Sequence, residues 1–92
     1  MARRKYVVGN WKMNGLKSAL GEAEAIFAAA AQQNSVDVAL CPPFTLVGAI
    51  AALPDAVTGG QDCHAAANGA YTGSVSAQML VDAGADLVLV GH

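Results

Sequence analysis

The chain has 92 residues, a formal charge of −2, and is 54 % hydrophobic but only 13 % charged. That is room for one small domain and not for two, and it excludes a disordered or solvating tail. The slight negative balance argues against a general nucleic-acid footprint.

The N-terminal cluster Arg3, Arg4, Lys5 reads as a solvated flank ahead of a strand. It imitates the basic start of a signal peptide, but the apolar run behind it is only Tyr6-Val7-Val8 before Gly9 and Asn10. A secretory core needs roughly 7–15 apolar residues, and a membrane span roughly 18. The expected location is cytoplasmic.

"KYVVGN" (5–10) is the first strand. Asn10 and Lys12 lie just past its end, and in extended chain positions 10 and 12 face one side. A fixed ammonium there attracts phosphate or carboxylate, and an amide can donate and accept hydrogen bonds. From Leu16 to Gln32, apolar residues at Leu16, Ala19, Leu20, Ala23, Ile26, Phe27 and Ala30 form a stripe of helical period. "VDVALCPP" (36–43) is a second strand, stopped by prolines that cannot continue a ladder. A short helix over 45–53 is closed by Pro54, and "AVTGGQD" (56–62) is a weak third strand with two glycines.

"CHAAANGAYTGS" (63–74) follows as a loop, long against the roughly two to six residues usual between strand and helix. Length alone leaves a functional loop and a variable insertion equally open. A third helix begins at Val75 or Ala77 and runs to Ala83. Ser76 is its N-cap, with Ser74 the alternative, and Gly84 its C-terminal cap. "DLVLVGH" (86–92), nearly all apolar, is a strand covered on both faces.

Strands alternating with helices imply right-handed crossovers and a parallel sheet. Small side chains, mainly alanine and valine, suit such layered packing. Charged residues are scarce for so short a chain, whose surface is large for its volume. The pattern stops on an apolar strand, which leaves an open edge. Both features carry the expectation that residues 1–92 are a single partial domain, covered by more chain or by a partner.

Cys41 and Cys63 read as reduced thiols in the absence of a secretory signal. Cys63 and His64 are adjacent, so on extended chain they point apart, and two ligands do not make a zinc site. No metal is expected. His92 follows Gly91 at the end of the last strand. A lone histidine there reads as a strand cap. Together with Asn10 and Lys12 at carboxyl ends of parallel strands, it makes a site candidate on one rim of the sheet.

Four segments, "VVGNWKMN" (7–14), "CPPF" (41–44), "GAYTGSVSAQML" (69–80) and "LVLVGH" (87–92), resemble the triosephosphate isomerase family in order and spacing. The resemblance runs across essentially the whole chain. It implies an eight-stranded (β/α) TIM barrel of typically about 250 residues, of which this chain would be the first three βα units and the fourth strand. It also implies interconversion of dihydroxyacetone phosphate and glyceraldehyde 3-phosphate through an enediolate, in glycolysis and gluconeogenesis, without metal or organic cofactor.

By the same resemblance Asn10 and Lys12 are catalytic and bind substrate. Trp11 lies between them in the binding segment, with its ring more suited to packing. His92 is the electrophile that polarises the substrate carbonyl. Ala70, Tyr71, Thr72 and Gly73 belong to the loop that reaches the second subunit of a homodimer. Ser74 departs from the family, which often has an acidic residue there, so one intersubunit ion pair is in doubt. No carboxylate within 1–92 matches the family's glutamate base. Asp62 follows the third strand, but nothing links it to that role. The 92 residues alone are expected to be inactive. Two further readings stay open: a non-catalytic half-barrel assembling with a complementary chain or with itself, and a small phosphate-binding module using Lys12 alone.

Overall fold

The computed structural model describes residues 3–92. Its elements run β1 (Lys5–Asn10), a 3₁₀ turn (Lys17–Ala19), α1 (Leu20–Ala31), β2 (Val36–Cys41), α2 (Phe44–Ala51), β3 (Gly59–Gly60), α3 (Ala77–Ala83) and β4 (Leu87–Val88). The alternation expected from the sequence is present, and every pairing is parallel. β1 pairs with β2 in the register Lys5↔Val36 to Asn10↔Cys41. β3 pairs with β4 through Gly59↔Leu87 and Gly60↔Val88.

The two pairs are joined between β2 and the start of β3. Leu40 bridges Thr58 in parallel, and the Leu40 amide donates to the Val57 carbonyl at 3.0 Å. Thr58 is completely buried. Its hydroxyl donates to the Leu40 carbonyl at 2.6 Å, its amide donates to Asp86 Oδ2 at 3.2 Å, and its carbonyl accepts from the Asp86 amide at 2.7 Å. One threonine therefore ties β2 on one side to the entrance of β4 on the other.

Strands 3 and 4 are shorter as paired elements than the expected 56–62 and 86–92. Close packing explains why β3 reads so weakly in sequence. A Cβ at Gly59 would lie 2.7 Å from Leu87 Cγ, and one at Gly60 2.7 Å from Leu80 Cδ1. The glycines are there because neighbouring atoms occupy the space a side chain would need.

The helices pack on β2. Ala23 and Phe27 of α1, Leu46 and Ile50 of α2, and Leu40 of β2 form the buried cluster, with Trp11, Leu20, Ile26, Leu53 and Ala56 around it. The α-helical part of the first helical segment begins at Leu20, four residues later than the expected Leu16. Gly15 takes φ 119° with Trp11 Cε3 only 2.9 Å from where a Cβ would be. Leu16 is then extended and 76 % exposed, so it is not part of the buried stripe. α2 ends at Ala51 instead of Leu53, and its approach to α3 is close: a Cβ on Gly84 would meet that of Ala51 at 2.7 Å.

α3 agrees with expectation at both ends. The Ser76 hydroxyl accepts from the Met79 amide at 3.1 Å, and Gly84 has φ 105°, the left-handed cap. The basic flank is not merely solvated. Arg4 forks onto Asp37, Nε to Oδ2 at 3.0 Å and Nη2 to Oδ1 at 2.9 Å, and its Nη1 donates to the Asn34 carbonyl. These contacts clamp the start of β1 to the start of β2.

Replacing Thr58 with valine keeps its shape but removes its hydroxyl. The expected loss is about 1–3 kcal/mol, the cost of depriving a buried carbonyl of its donor. Thr58→Ser keeps the bond and is expected to lose less. Urea midpoints at unchanged slope check this, and equal midpoints for the two variants would contradict it.

The Arg4 guanidinium, through its hydrogen bonds, holds the Asp37 carboxyl below its ordinary value. A depressed carboxylate stabilises the fold above its ordinary value, near 3.9, and that contribution is lost as pH falls through the folded one. Arg4→Gln is therefore expected to flatten the acid limb of stability against pH. Superimposable acid limbs in wild type and variant would contradict this.

Candidate functional site

The rim at the carboxyl ends of the strands is assembled from backbone upward. Asn10 is the last residue of β1, opposite Cys41. The Trp11 amide extends the ladder by one bond, donating to the Cys41 carbonyl at 3.0 Å. The chain then turns sharply. The Lys12 amide donates to Asn10 Oδ1 at 2.8 Å, and Lys12 takes φ 54°. Asn14 closes the turn by donating from Nδ2 to the Trp11 carbonyl at 2.9 Å.

Residues 10 and 12 are thus brought together by a side-chain turn and not by strand alternation, which ends at Asn10. Asn10 Oδ1 accepts from the Lys12 amide, and no hydrogen bond from Asn10 Nδ2 is found among the described residues. Lys12 is exposed. The ion pair among the described residues is Arg4–Asp37, so the Lys12 ammonium has no carboxylate partner there. An ammonium and a carboxamide N–H are both donors of the kind that suits an anion.

Lys12 also has a partner that sequence reasoning missed. Gln61, just past β3, donates from Nε2 to the Lys12 carbonyl at 2.7 Å and to the Cys41 carbonyl at 3.0 Å. Carbonyl oxygens only accept, so the amide nitrogen must face them. The available signal was its place directly after Gly59-Gly60, on the same rim.

Trp11 is half-buried and packs its ring against the core cluster. His92 is exposed. The Leu89 amide donates to the Gly60 carbonyl at 2.9 Å, which carries the chain past β4 towards the same rim, and Gly91 turns it with φ 71°. No hydrogen bond joins His92 to Asn10 or Lys12 among the described residues.

The long loop is built, not slack. Its base is closed by the His64↔Ser76 bridge and by the His64 amide donating to the Val75 carbonyl at 2.8 Å. The His64 ring stacks on Tyr71 with centroids 3.9 Å apart, and its Nδ1 accepts from the Ala66 amide at 2.9 Å. A turn from Tyr71 to Ser74 holds the tip, with Ala70, Tyr71, Thr72 and Gly73 all exposed. Cys41 is buried and Cys63 partly so, both as free thiols. Burial pushes the Cys41 thiol above its ordinary value, so it stays neutral.

The triosephosphate isomerase family model matches residues 5–92. The chain belongs to the triosephosphate isomerase family. Triosephosphate isomerase of Dinoroseobacter shibae is 58 % identical over 98 % of this chain and 37 % of its own length. That of Jannaschia sp. is 53 % identical over 97 % of this chain and 37 % of its own. The crystal structure of triosephosphate isomerase from Bartonella henselae superposes with a TM-score of 0.87 at 42 % identity, over 98 % of this chain and 38 % of that one. The four parallel strands are therefore part of a TIM barrel, and the chain spans about 37 % of the length of these curated relatives.

A lysine at φ 54° is strained, since left-handed backbone costs a residue with a Cβ roughly 1–2 kcal/mol. Lys12→Gly relieves that strain, offset by roughly 0.5–1 kcal/mol of added freedom in the unfolded chain. The expected net gain is about 0–1.5 kcal/mol, and whatever binding of inorganic phosphate depends on the ammonium is expected to be lost. A thermal melt with and without phosphate checks both. A variant that is clearly destabilised, or that still binds phosphate, would contradict the assignment.

Proposed function

We propose that these residues supply the first part of the active site of a triosephosphate isomerase, interconverting dihydroxyacetone phosphate and glyceraldehyde 3-phosphate through an enediolate. The observation that carries this reading is the exposed Lys12 ammonium, without a carboxylate partner among the described residues, on a turn fixed from both sides. Membership of the triosephosphate isomerase family supports a triose phosphate as that anion.

In this reading Lys12 balances the substrate phosphate and the oxyanion that develops as the enediolate forms. Charge placed in advance is worth more in the transition state than in the ground state. Asn10 donates from its amide nitrogen to the same substrate. Trp11 joins them through its backbone and fixes the segment with its ring. His92 polarises the carbonyl beside a glutamate base, a role taken over from the family itself. No carboxylate of residues 1–92 matches that base, so the proton transfer between substrate carbons needs chain not included in these residues. The chemistry calls for no metal and no organic cofactor.

The preformed loop tip, Ala70 to Gly73, supports a homodimer in which Thr72 reaches the second subunit's site. Ser74 in place of the family's frequent acidic residue would weaken one contact of that interface. No helix among the described residues is long and apolar enough to cross a membrane. A cytoplasmic enzyme of glycolysis and gluconeogenesis accords with this, and residues 1–92 are one partial domain of it.

The test is a coupled assay of the full-length protein with glyceraldehyde 3-phosphate. Lys12→Met is expected to lower kcat/KM by at least about 100-fold, in line with loss of one oxyanion-stabilising group. His92→Asn is expected to lower kcat by a similar order with a smaller change in KM. The 92-residue chain alone is expected to show no turnover. Full activity in Lys12→Met, or turnover by the 92-residue chain free of contaminating enzyme, would overturn the reading.

A further inference from the structure

We propose that Gln61 is the positioning residue for Lys12, holding the lysine backbone in its left-handed turn so that the ammonium is presented at a fixed point on the rim. This rests on the role proposed for Lys12 and extends it to a residue that contacts no substrate.

Lys12 is pinned on both sides of its own Cα. Its amide donates to Asn10 Oδ1 at 2.8 Å, and its carbonyl accepts from Gln61 Nε2 at 2.7 Å. The first bond is local, two residues back. The second comes from 49 residues away and is the one that refers Lys12 to the rest of the sheet. The same Gln61 nitrogen donates to the Cys41 carbonyl at 3.0 Å, and that carbonyl also accepts from the Trp11 amide at 3.0 Å. The ends of β1, β2 and β3 are thus joined through a single carboxamide. Without it, the turn at 10–14 would keep its local bonds but lose its anchor to β3. An exposed lysine has many rotamers, so its useful precision comes from where its Cα is held. A shift of about 1 Å in a catalytic group costs up to roughly 100-fold in rate.

The side chain suits this task and close substitutes do not. Two N–H donors on one nitrogen meet two carbonyls. Gln61→Met keeps the length and removes both donors. Gln61→Glu keeps the outline but turns an acceptor towards two acceptors. Gln61→Asn keeps the amide but falls one methylene short.

The experiment uses the full-length protein with glyceraldehyde 3-phosphate as substrate and inorganic phosphate as competing anion. Gln61→Met is expected to lower kcat/KM by about 10- to 100-fold and to raise the inhibition constant for phosphate, and Gln61→Glu to lower kcat/KM further. In a Lys12→Ala background, Gln61→Met is expected to have no additional effect, because it acts only through Lys12. A purely structural role would instead add its loss on top of Lys12→Ala. If Gln61→Met loses its cooperative melt, Gln61→Asn takes its place with the same expectations. Retention of wild-type kcat/KM and phosphate inhibition, or full additivity with Lys12→Ala, overturns the proposal. Absence of triose phosphate turnover in the wild-type protein would overturn the reading of function, and is seen before any variant is made.

Discussion

The carbonyl of Cys41 accepts two hydrogen bonds, from the Trp11 amide and from the Gln61 carboxamide, each at 3.0 Å. A carbonyl oxygen has two lone pairs, and both are used here. The donors come from the segments after β1 and β3, on either side of β2. Geometry at the rim is therefore referred to a single atom at the end of the middle strand. β2 is suited to that role because Ala39, Leu40 and Cys41 are all buried. A slip of one residue in β2 would send its core side chains to the opposite face and would break both bonds at the rim. The stability of the core and the geometry of the site are one constraint.

That core is made of few large side chains and many small ones. Phe27 and Ile50 are essentially fully buried, each contributing on the order of 1.5–3 kcal/mol from burial. Around them, Ala23 lets α1 approach β2, while Gly84 lets the end of α3 approach Ala51 of α2. The alanine-rich composition thus follows from helices packed close to short strands. Apolar side chains also stand well exposed: Val7 is 52 % and Val90 71 % exposed. In a TIM barrel such as those of its relatives, about 2.7 times as long (1/0.37), surfaces of this kind lie between neighbouring units.

What the sequence made legible was whatever depends on local chemistry or on periodicity. The Ser76 cap, the left-handed Gly84 and the span of α3 follow from neighbours within a turn. Strand and helix order follows from apolar spacing, and parallel pairing from that order. The places that misled were those where a distant atom decides. Leu16 fits the helical stripe by spacing, but Gly15 packed on Trp11 turns the chain before the α-helix starts, and Leu16 remains exposed. Asn10 and Lys12 were paired through alternation, whereas an Asx turn does the work. Gln61 carries no periodic signal at all, because its partner lies 49 residues away. Arg4 looked solvated because its partner Asp37 lies on the next strand. Hydrogen bonds between side chain and backbone across the sheet leave no trace in composition or period.

The state of Lys12 carries more weight than its position near a strand end. Left-handed backbone at a residue with a Cβ is unfavourable by about 1–2 kcal/mol. A hydrogen bond contributes about 0.5–1.5 kcal/mol net, so the bonds from Asn10 and Gln61 together offset that cost with little left over. A loop lysine needed only for solubility would require neither the strained conformation nor two side chains devoted to holding it. Glycine or asparagine would form the same turn with less strain. What those residues lack is the ammonium. Strain, two dedicated hydrogen bonds and a cation without a counter-charge among the described residues occur together at one position. They have a common cause if the place of that charge matters more than the stability lost in fixing it, as it does where charge develops on a bound anion.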